Sequence, residues 1–514
     1  MSSLDVVVIA VYCVAVLTAG IRLGGRQRNE DDFFLGGRDL PWWAVCFSVV
    51  ATETSTLTVI GVPAVAFGGS LTFLQLTIGY IAGRVVVAAV LLPRYFRGEM
   101  KTAYAFLGDR FGQTMRSTAS VTFLVTRLLA DGVRLFATAI PLRLVAVASG
   151  WDVSYGTIIV LIGVVTIGYT LIGGIRAVVW MDVIQMAIYV GGAVIAILLL
   201  SQSLPEGWWL TASEAGKTSV LDFRGCASLR SLITSPYAFV TAVVGGAALS
   251  IASHGTDQLI VQRLLTCRTL DDSRRAVVVS GLVVAAQFAL FLLAGLLLWV
   301  HYGGQTTAEL GLERSDEIFP YYILNEMPSG LAGLLIAGII AAAMSTLSSS
   351  LNSLASSTVF DLGAVLRRIP VLRARSELTF GRLATAVWGV VFIVFASLFT
   401  DRDSSVVVLG LSIASFTYGG LLGAFTLGIL SSSARQSDAI VAFGATIVLM
   451  LIVWAIRISP ESIFHITLAF GSNSVTTNAW GSVAWPWFPL IGAIASLTVG
   501  SLTALRHPRV AKGA

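Results

Sequence analysis

Val49-Val-Ala-Thr-Glu-Thr-Ser-Thr-Leu-Thr-Val-Ile-Gly61 sets five hydroxyl side chains and one carboxylate in the middle of an apolar run. Ser and Thr side chains within a helix compete for its backbone hydrogen bonds. A charge such as Glu53 at the centre of a bilayer costs about 2.5–3.5 kcal/mol even on a lenient insertion scale. Two forms are compatible with the stretch: a continuous helix whose hydroxyls bond back to their own turn, or a helix broken near its middle. Broken backbone at membrane depth is tolerated where it lines a cavity, and there the freed carbonyls can take a cation. The density of hydroxyls favours the broken form.

That argument assumes a membrane, which the composition supplies. Of 514 residues 56% are apolar and 12% charged, against roughly 45–50% and 25% in soluble domains. About thirteen spans of roughly 22 residues account for a little over half the chain. They are expected near 3–22, 41–67, 71–93, 116–147, 154–173, 178–202, 235–254, 276–302, 329–357, 379–400, 405–430, 438–457 and 484–505. A soluble multidomain enzyme, a disordered chain and a nucleic-acid binder are excluded. The net charge of +5 is spread over short loops rather than gathered in a patch. The expected architecture is an all-α polytopic membrane protein forming one unit, 1–514, set in a lipid bilayer.

Orientation follows from the basic residues. Of 33 Lys and Arg, 23 fall on one side of this arrangement, 7 on the other and 3 inside spans. The larger group includes Arg22, Arg26, Arg94, Arg97, Arg116, Arg263, Arg367, Arg368, Arg509 and Lys512. The positive-inside rule places that side in the cytoplasm, with the N-terminus outside and the C-terminus inside. An Arg-rich, Lys-poor usage of 30 against 3 suggests a GC-rich bacterial source and hence an inner (plasma) membrane.

Few charged residues remain inside the spans besides Glu53: Arg84, then Arg127, Asp131 and Arg134 on one helix, then Asp182. Arg127, Asp131 and Arg134 lie at i, i+4 and i+7, which allows an intrahelical ion pair and equally an arginine facing a solute. A second polar stretch, Ala341-Ala-Ala-Met-Ser-Thr-Leu-Ser-Ser-Ser-Leu-Asn-Ser353, sets Ser345, Ser348 and Ser349 on one face. Neutral oxygens suit a hard cation such as Na+; small residues also simply let helices approach closely. Gly245, Gly246, Gly419 and Gly420 likewise read as flex points or as close packing. The four histidines, His254, His301, His465 and His507, form no HExxH-type catalytic motif, and His254 reads as gating or packing. No enzymatic constellation is evident.

These residues resemble the sodium:solute symporter family from about Asp31 to Arg435. The resemblance is carried by Phe34-Leu-Gly-Gly-Arg-Asp-Leu-Pro-Trp-Trp43, Gly173-Gly-Ile-Arg-Ala-Val-Val-Trp-Met-Asp-Val-Ile-Gln185, Thr256-Asp-Gln-Leu-Ile-Val-Gln-Arg263 and Met344-Ser-Thr-Leu-Ser-Ser349. It implies a LeuT-type fold of two inverted five-helix repeats, 41–202 and 235–430, with helix 3–22 before them and two more at 438–505. It also implies a main sodium site built from the carbonyls of Ala51, Thr54 and Ala342 and the hydroxyls of Ser345 and Thr346. A second site, present in sialic acid carriers of the family, would map to Asp182, Ser345, Ser348 and Ser349. Two ions moving down the membrane potential supply about 4.6 kcal/mol per 100 mV, or about three decades of solute accumulation.

For the solute, the resemblance is narrower. Sugar carriers of the family place a Glu-Gln pair, an Asn and a gating Tyr at positions that are Leu57, Thr58, Ser250 and Ser253 here, which argues against a galactose-type site. Glu53 falls where proline carriers have an essential Asp. Ser55 and Thr58 match hydroxyls that contact solute in sialic acid carriers, and Arg134 is the counterpart of their carboxylate-binding Arg. The expected solute-binding set is therefore Glu53, Ser55, Thr58, Arg134, Ser250 and Ser253. The function expected is inward, sodium-coupled symport of a small carboxylate, amino acid or other anionic or zwitterionic solute. Proton coupling through Glu53 or Asp182, or a sugar or polyol solute, are the alternatives.

Overall fold

The computed structural model describes residues 2–148, 150–373, 375–399, 406–458 and 483–506. Arg509 and Lys512, counted above for orientation, and the segment 459–482 between the last two expected spans lie outside the described residues. Each of the thirteen expected segments falls on helix. Among the described residues eight helices are long and apolar enough to cross a membrane alone, and a bent pair makes a ninth. The helix Gln113–Ala148 is kept out of that count by its charged centre. The helix assigned to Tyr155–Gln202 is 48 residues long, about 72 Å at 1.5 Å per residue and more than twice the ~30 Å hydrocarbon core. It is two crossings joined at Gly174, whose φ of 58° and ψ of −159° leave the helical region. A Cβ there would lie 2.6 Å from the Phe33 carbonyl oxygen, so glycine is required on both counts.

The opening stretch is broken. Trp42–Glu53 and Thr56–Gly68 are separate helices bent by 68°, with Thr54 (ψ 97°) and Ser55 (ψ 172°) extended between them. The second half of the chain opens in the same way. A helix ending at Gly255 gives way through Thr256 to Gln258–Leu264, capped by the Asp257 side chain on the Leu259 N–H at 2.9 Å. The expected span 235–254 thus continues into a second, inward-tucked segment.

At the centre stands Leu331–Phe360, buried along nearly its whole length. It packs against Tyr155–Gln202, Gln113–Ala148, Glu377–Ser397 and the N-terminal helix Ser3–Leu23. The N-terminal helix is tied to it by a carboxylate. Asp5 Oδ1 accepts the N–H groups of Gly330 (2.7 Å) and Gly333 (2.9 Å), which a helix start leaves without partners. Its outer face, Val7, Val11 and Val14, is exposed, as a lipid-facing surface should be. Of the two readings of the paired glycines, close packing has direct support: a Cβ on Gly245 would lie 2.5 Å from Pro486 Cβ, and one on Gly419 2.8 Å from Gly492 Cα.

Candidate functional site

The break at Thr54–Ser55 interrupts the helical ladder, so the last carbonyls of Trp42–Glu53, Ala51 among them, lose the N–H partners that a continued helix would provide. Thr54 bonds back to Val50 O through both its N–H (3.0 Å) and its hydroxyl (2.8 Å), and receives the Gln287 side-chain amide at 2.7 Å. Leu331–Phe360 runs alongside. Thr56 donates to Ile339 O at 3.2 Å, and the hydroxyls of Thr52 and Ser349 are 3.1 Å apart. The two stretches singled out in the sequence therefore converge.

All the side chains of the serine face are buried. Thr346 donates to Ala342 O at 3.1 Å, and Ser348 and Ser349 donate to Ser345 O at 3.1 and 2.6 Å. Ala51, Thr54, Ala342, Ser345 and Thr346 supply carbonyl and hydroxyl oxygens and no thiolate or imidazole, a donor set suited to Na+. No group of three or more His, Cys, Asp or Glu side chains that could hold a metal occurs among the described residues. The second expected set also meets. Ser345 donates to Asp182 Oδ1 at 2.6 Å, with Ser348 and Ser349 on the same helix face. Sequence reasoning missed a fifth member, Arg263. Its place in the sequence puts it with the charges of the cytoplasmic side, yet its side chain is fully buried. Arg263 pairs with Asp182 Oδ2 at 3.3 Å, donates to Ser48 at 2.9 Å and donates to Ser349. A positive charge thus already sits beside the Asp182 carboxylate.

Next to the break lies a cavity of about 560 Å³. Its wall contains all six residues expected to face solute: Glu53, Ser55, Thr58, Arg134, Ser250 and Ser253. Aromatic side chains fill in the remainder, among them Tyr80, Phe288 and Tyr418. The charges are internally matched. Arg84, fully buried, donates to Glu53 Oε2 and, at 2.6 Å, to Ser280. Arg127 is held by Asp257 and the Tyr418 hydroxyl and lies 3.5 Å from Asp131. Asp131 also receives Arg134 at 2.9 Å and the Ser350 hydroxyl. The intrahelical pairing allowed by the i, i+4, i+7 spacing is present, and Arg134 lines the cavity as well. A second void of about 10 Å³, room for one water-sized species, lies between Ser55, Thr56, Asp131 and Arg134 on one side and Thr346 on the other.

The cavity reaches Asp316 and Trp485, near the end of the molecule where Gly330 starts the central helix. The opposite end is tied across by hydrogen bonds and an ion pair. Tyr95 donates to Gly255 O, and Gln258 accepts from the Ala103 N–H at 2.8 Å while donating to Ser356 at 3.3 Å. Asp361 gathers Thr102 (2.6 Å), Arg116 (2.7 Å) and Ser357 (2.7 Å). These ties join the loop before Gln113–Ala148 to the ends of two other helices on the side away from Asp316 and Trp485.

A family model described as the sodium:solute symporter family matches residues 33–444. The chain is 28% identical over 450 residues to the sodium/sialic acid symporter NanT of Aliivibrio fischeri, covering 87% of each. It is 28% identical over 447 residues to the human sodium/iodide cotransporter, covering 85% of this chain and 66% of that one. Human sodium-coupled monocarboxylate transporter 1 is 29% identical over 451 residues, with 85% and 71% covered. Among solved structures, the substrate-bound, outward-open state of a Na+-coupled sialic acid symporter superposes with a TM-score of 0.80 at 26% identity, covering 99% of this chain and 98% of that one.

Proposed function

The chain belongs to the sodium:solute symporter family and has its LeuT-type fold, with sodium as the coupling ion and a small solute as cargo, and we propose that the solute is a carboxylate carried inward on Arg134. The observation that carries this reading is the cavity at the break, where Arg134 faces Glu53, Ser55, Thr58, Ser250 and Ser253. Among the described residues Asp131 is Arg134's one partner, whereas Arg127 is spent on Asp257 and Tyr418. Arg presents N–H donors in a fork that matches a carboxylate. Electrostatics favour the same class. Arg84 offsets Glu53, and Arg127 and Arg134 offset Asp131 and Asp257, so a sodium ion bound nearby adds a positive charge that an anionic solute balances. Sialic acid, iodide and monocarboxylates, named for the relatives, are all anions at neutral pH.

In this reading Na+ sits among Ala51, Thr54, Ala342, Ser345 and Thr346, and holds the broken helix against the central one. A second ion at Asp182, Ser345, Ser348 and Ser349 requires Arg263 to withdraw from the carboxylate. The Asp361 end is cytoplasmic by the positive-inside rule, so the cavity faces outward. Import then requires the ties at Tyr95, Gln258 and Asp361 to release as the helices around the break rock against the rest.

Uptake into proteoliposomes with a panel of labelled solutes is the test. Carboxylates should enter with an inward Na+ gradient and fail to enter when choline replaces Na+ at constant pH. Uptake of sugars but not carboxylates overturns the solute class, and undiminished uptake in choline replaces sodium with protons.

A further inference from the structure

His254 is left over by this account. It lies at the end of the helix that precedes the second break, is 2% exposed and lines the cavity, and its Nε2 has no hydrogen-bond partner. Orphaned polar atoms are rare in buried positions and costly. Its Nδ1 lies 2.9 Å from the Ser253 hydroxyl. Ser253's other acceptor, the Ser250 carbonyl, is 3.5 Å away, at the limit of a hydrogen bond. In the tautomer that lets Ser253 donate to Nδ1, Nε2 carries the ring's N–H and faces the cavity without a partner. Nε2 lies 3.7 Å from Glu53 Oε2, within ion-pair reach when the ring is protonated but beyond hydrogen-bond distance. Glu53 keeps free acceptor capacity as well: Arg84 takes Oε2, and Oε1 has no protein donor among the described residues.

We propose that His254 and Glu53 form a subsite for a hydroxyl group, so that the solute is a hydroxylated carboxylate. The inference rests on the carboxylate reading above and adds the group at the solute's other polar position. A hydroxyl oxygen placed between the two side chains accepts from His254 Nε2–H and donates its proton to the Glu53 carboxylate, satisfying both at once. An ammonium has no lone pair for Nε2–H, and its charge is not called for beside a carboxylate that Arg84 already neutralises. A methyl or methylene group leaves Nε2 as orphaned as it is without solute. A site built around a substrate hydroxyl discriminates strongly against the analogue that lacks it, because its own polar groups then go unpaired.

The test uses matched pairs on the purified full-length protein: lactate against propionate, and 3-hydroxybutyrate against butyrate. Sodium-dependent change in tryptophan fluorescence is the readout, since Trp485 lines the cavity. The hydroxylated member of each pair should bind at least about tenfold more tightly, the worth of one buried hydrogen bond. His254→Phe should reduce the ratio to below about twofold, and His254→Gln, which keeps an N–H donor, should restore part of it. Equal, sodium-dependent binding of both members by the native protein overturns the hydroxyl subsite and leaves the carboxylate reading standing. So does a ratio that His254→Phe and His254→Gln leave unchanged. No sodium-dependent response to any of the four probes overturns the carboxylate reading and this inference with it.

Discussion

Arg134→Ala separates a solute ligand from a merely charge-balancing arginine, because the structure isolates what the substitution removes. The Arg134 side chain is 20% exposed, and among the described residues it makes a single ion pair, to Asp131 at 2.9 Å. Once it is gone, Asp131 still has Arg127 at 3.5 Å and the Ser350 hydroxyl, so no buried carboxylate is left bare. The loss of stability should stay near the ~0–1 kcal/mol typical of a partly exposed pair. The solute, by contrast, loses a charge-assisted contact worth about 1.5–3 kcal/mol, which is roughly a tenfold to hundredfold rise in KM. Arg127→Ala supplies the contrast. Arg127 is 3% exposed and bridges Asp257, Tyr418 and Asp131, and breaking such a buried network costs about 3–5 kcal/mol. The assay pairs initial rates of Na+-driven uptake in proteoliposomes with melting temperatures of the same preparations in detergent. Arg134→Ala should raise KM with a melting temperature close to that of the native protein, whereas Arg127→Ala should lower the melting temperature sharply. A KM unchanged within twofold in Arg134→Ala, for every carboxylate that is transported, refutes the assignment. A melting temperature that falls as far as in Arg127→Ala refutes the reasoning about Asp131.

Ser345→Ala removes a hydroxyl from the proposed main sodium set and should raise the half-saturating Na+ concentration of uptake by about tenfold, the effect of losing ~1.4 kcal/mol of coordination; an unchanged Na+ titration counts against that ligand set. Asp182→Asn leaves Arg263 charged and buried without its carboxylate and should destabilise by about 3–5 kcal/mol, while the double replacement Asp182→Leu with Arg263→Leu should recover most of that, as melting temperatures would show. Asp5→Ala strips the cap from Gly330 and Gly333 and should cost about 1–2 kcal/mol, with Asp5→Asn less damaging, read from the same melts. Asp361→Ala unties Thr102, Arg116 and Ser357 and should increase labelling of a cysteine placed by Ser356→Cys with a membrane-impermeant thiol reagent from the sealed side; equal labelling with and without the Asp361 change argues that other contacts hold that face shut.

What could be read from the chain alone followed from local chemistry. The hydroxyl run at 52–58 marks the break because side chains there compete for the backbone of their own turn. The serine face is visible because i, i+3, i+4 spacing is a property of one helix. The bend at Gly174 lies in the gap between two expected spans, where length alone forbids a single crossing. What escaped depends on partners distant in sequence. Glu53 and Arg84 stand as two isolated charges until two helices meet. Asp257 and Tyr418, which hold Arg127, come from two further elements. Arg263 follows a polar segment and obeys the charge asymmetry of the cytoplasmic side, so the sequence alone groups it with the loop charges. The short helix Gln258–Leu264 turns it back into the interior, toward Asp182, 81 positions earlier in the chain. The Asp257 side chain capping that helix was the available signal, an N-terminus announced just after an expected span had ended.

Ser55 and Arg134 belong to both voids, so the partition between the larger cavity and the Thr346 hydroxyl is in places a single side chain thick. Whatever occupant presses on that shared wall from one side changes its resting position for the other. Linkage makes the effect mutual: the factor by which sodium sharpens affinity for the anion is the factor by which the anion sharpens affinity for sodium. If the proposed sites hold, cargo and driving ion negotiate through these two residues, and a replacement at either should loosen the bargain in both directions at once.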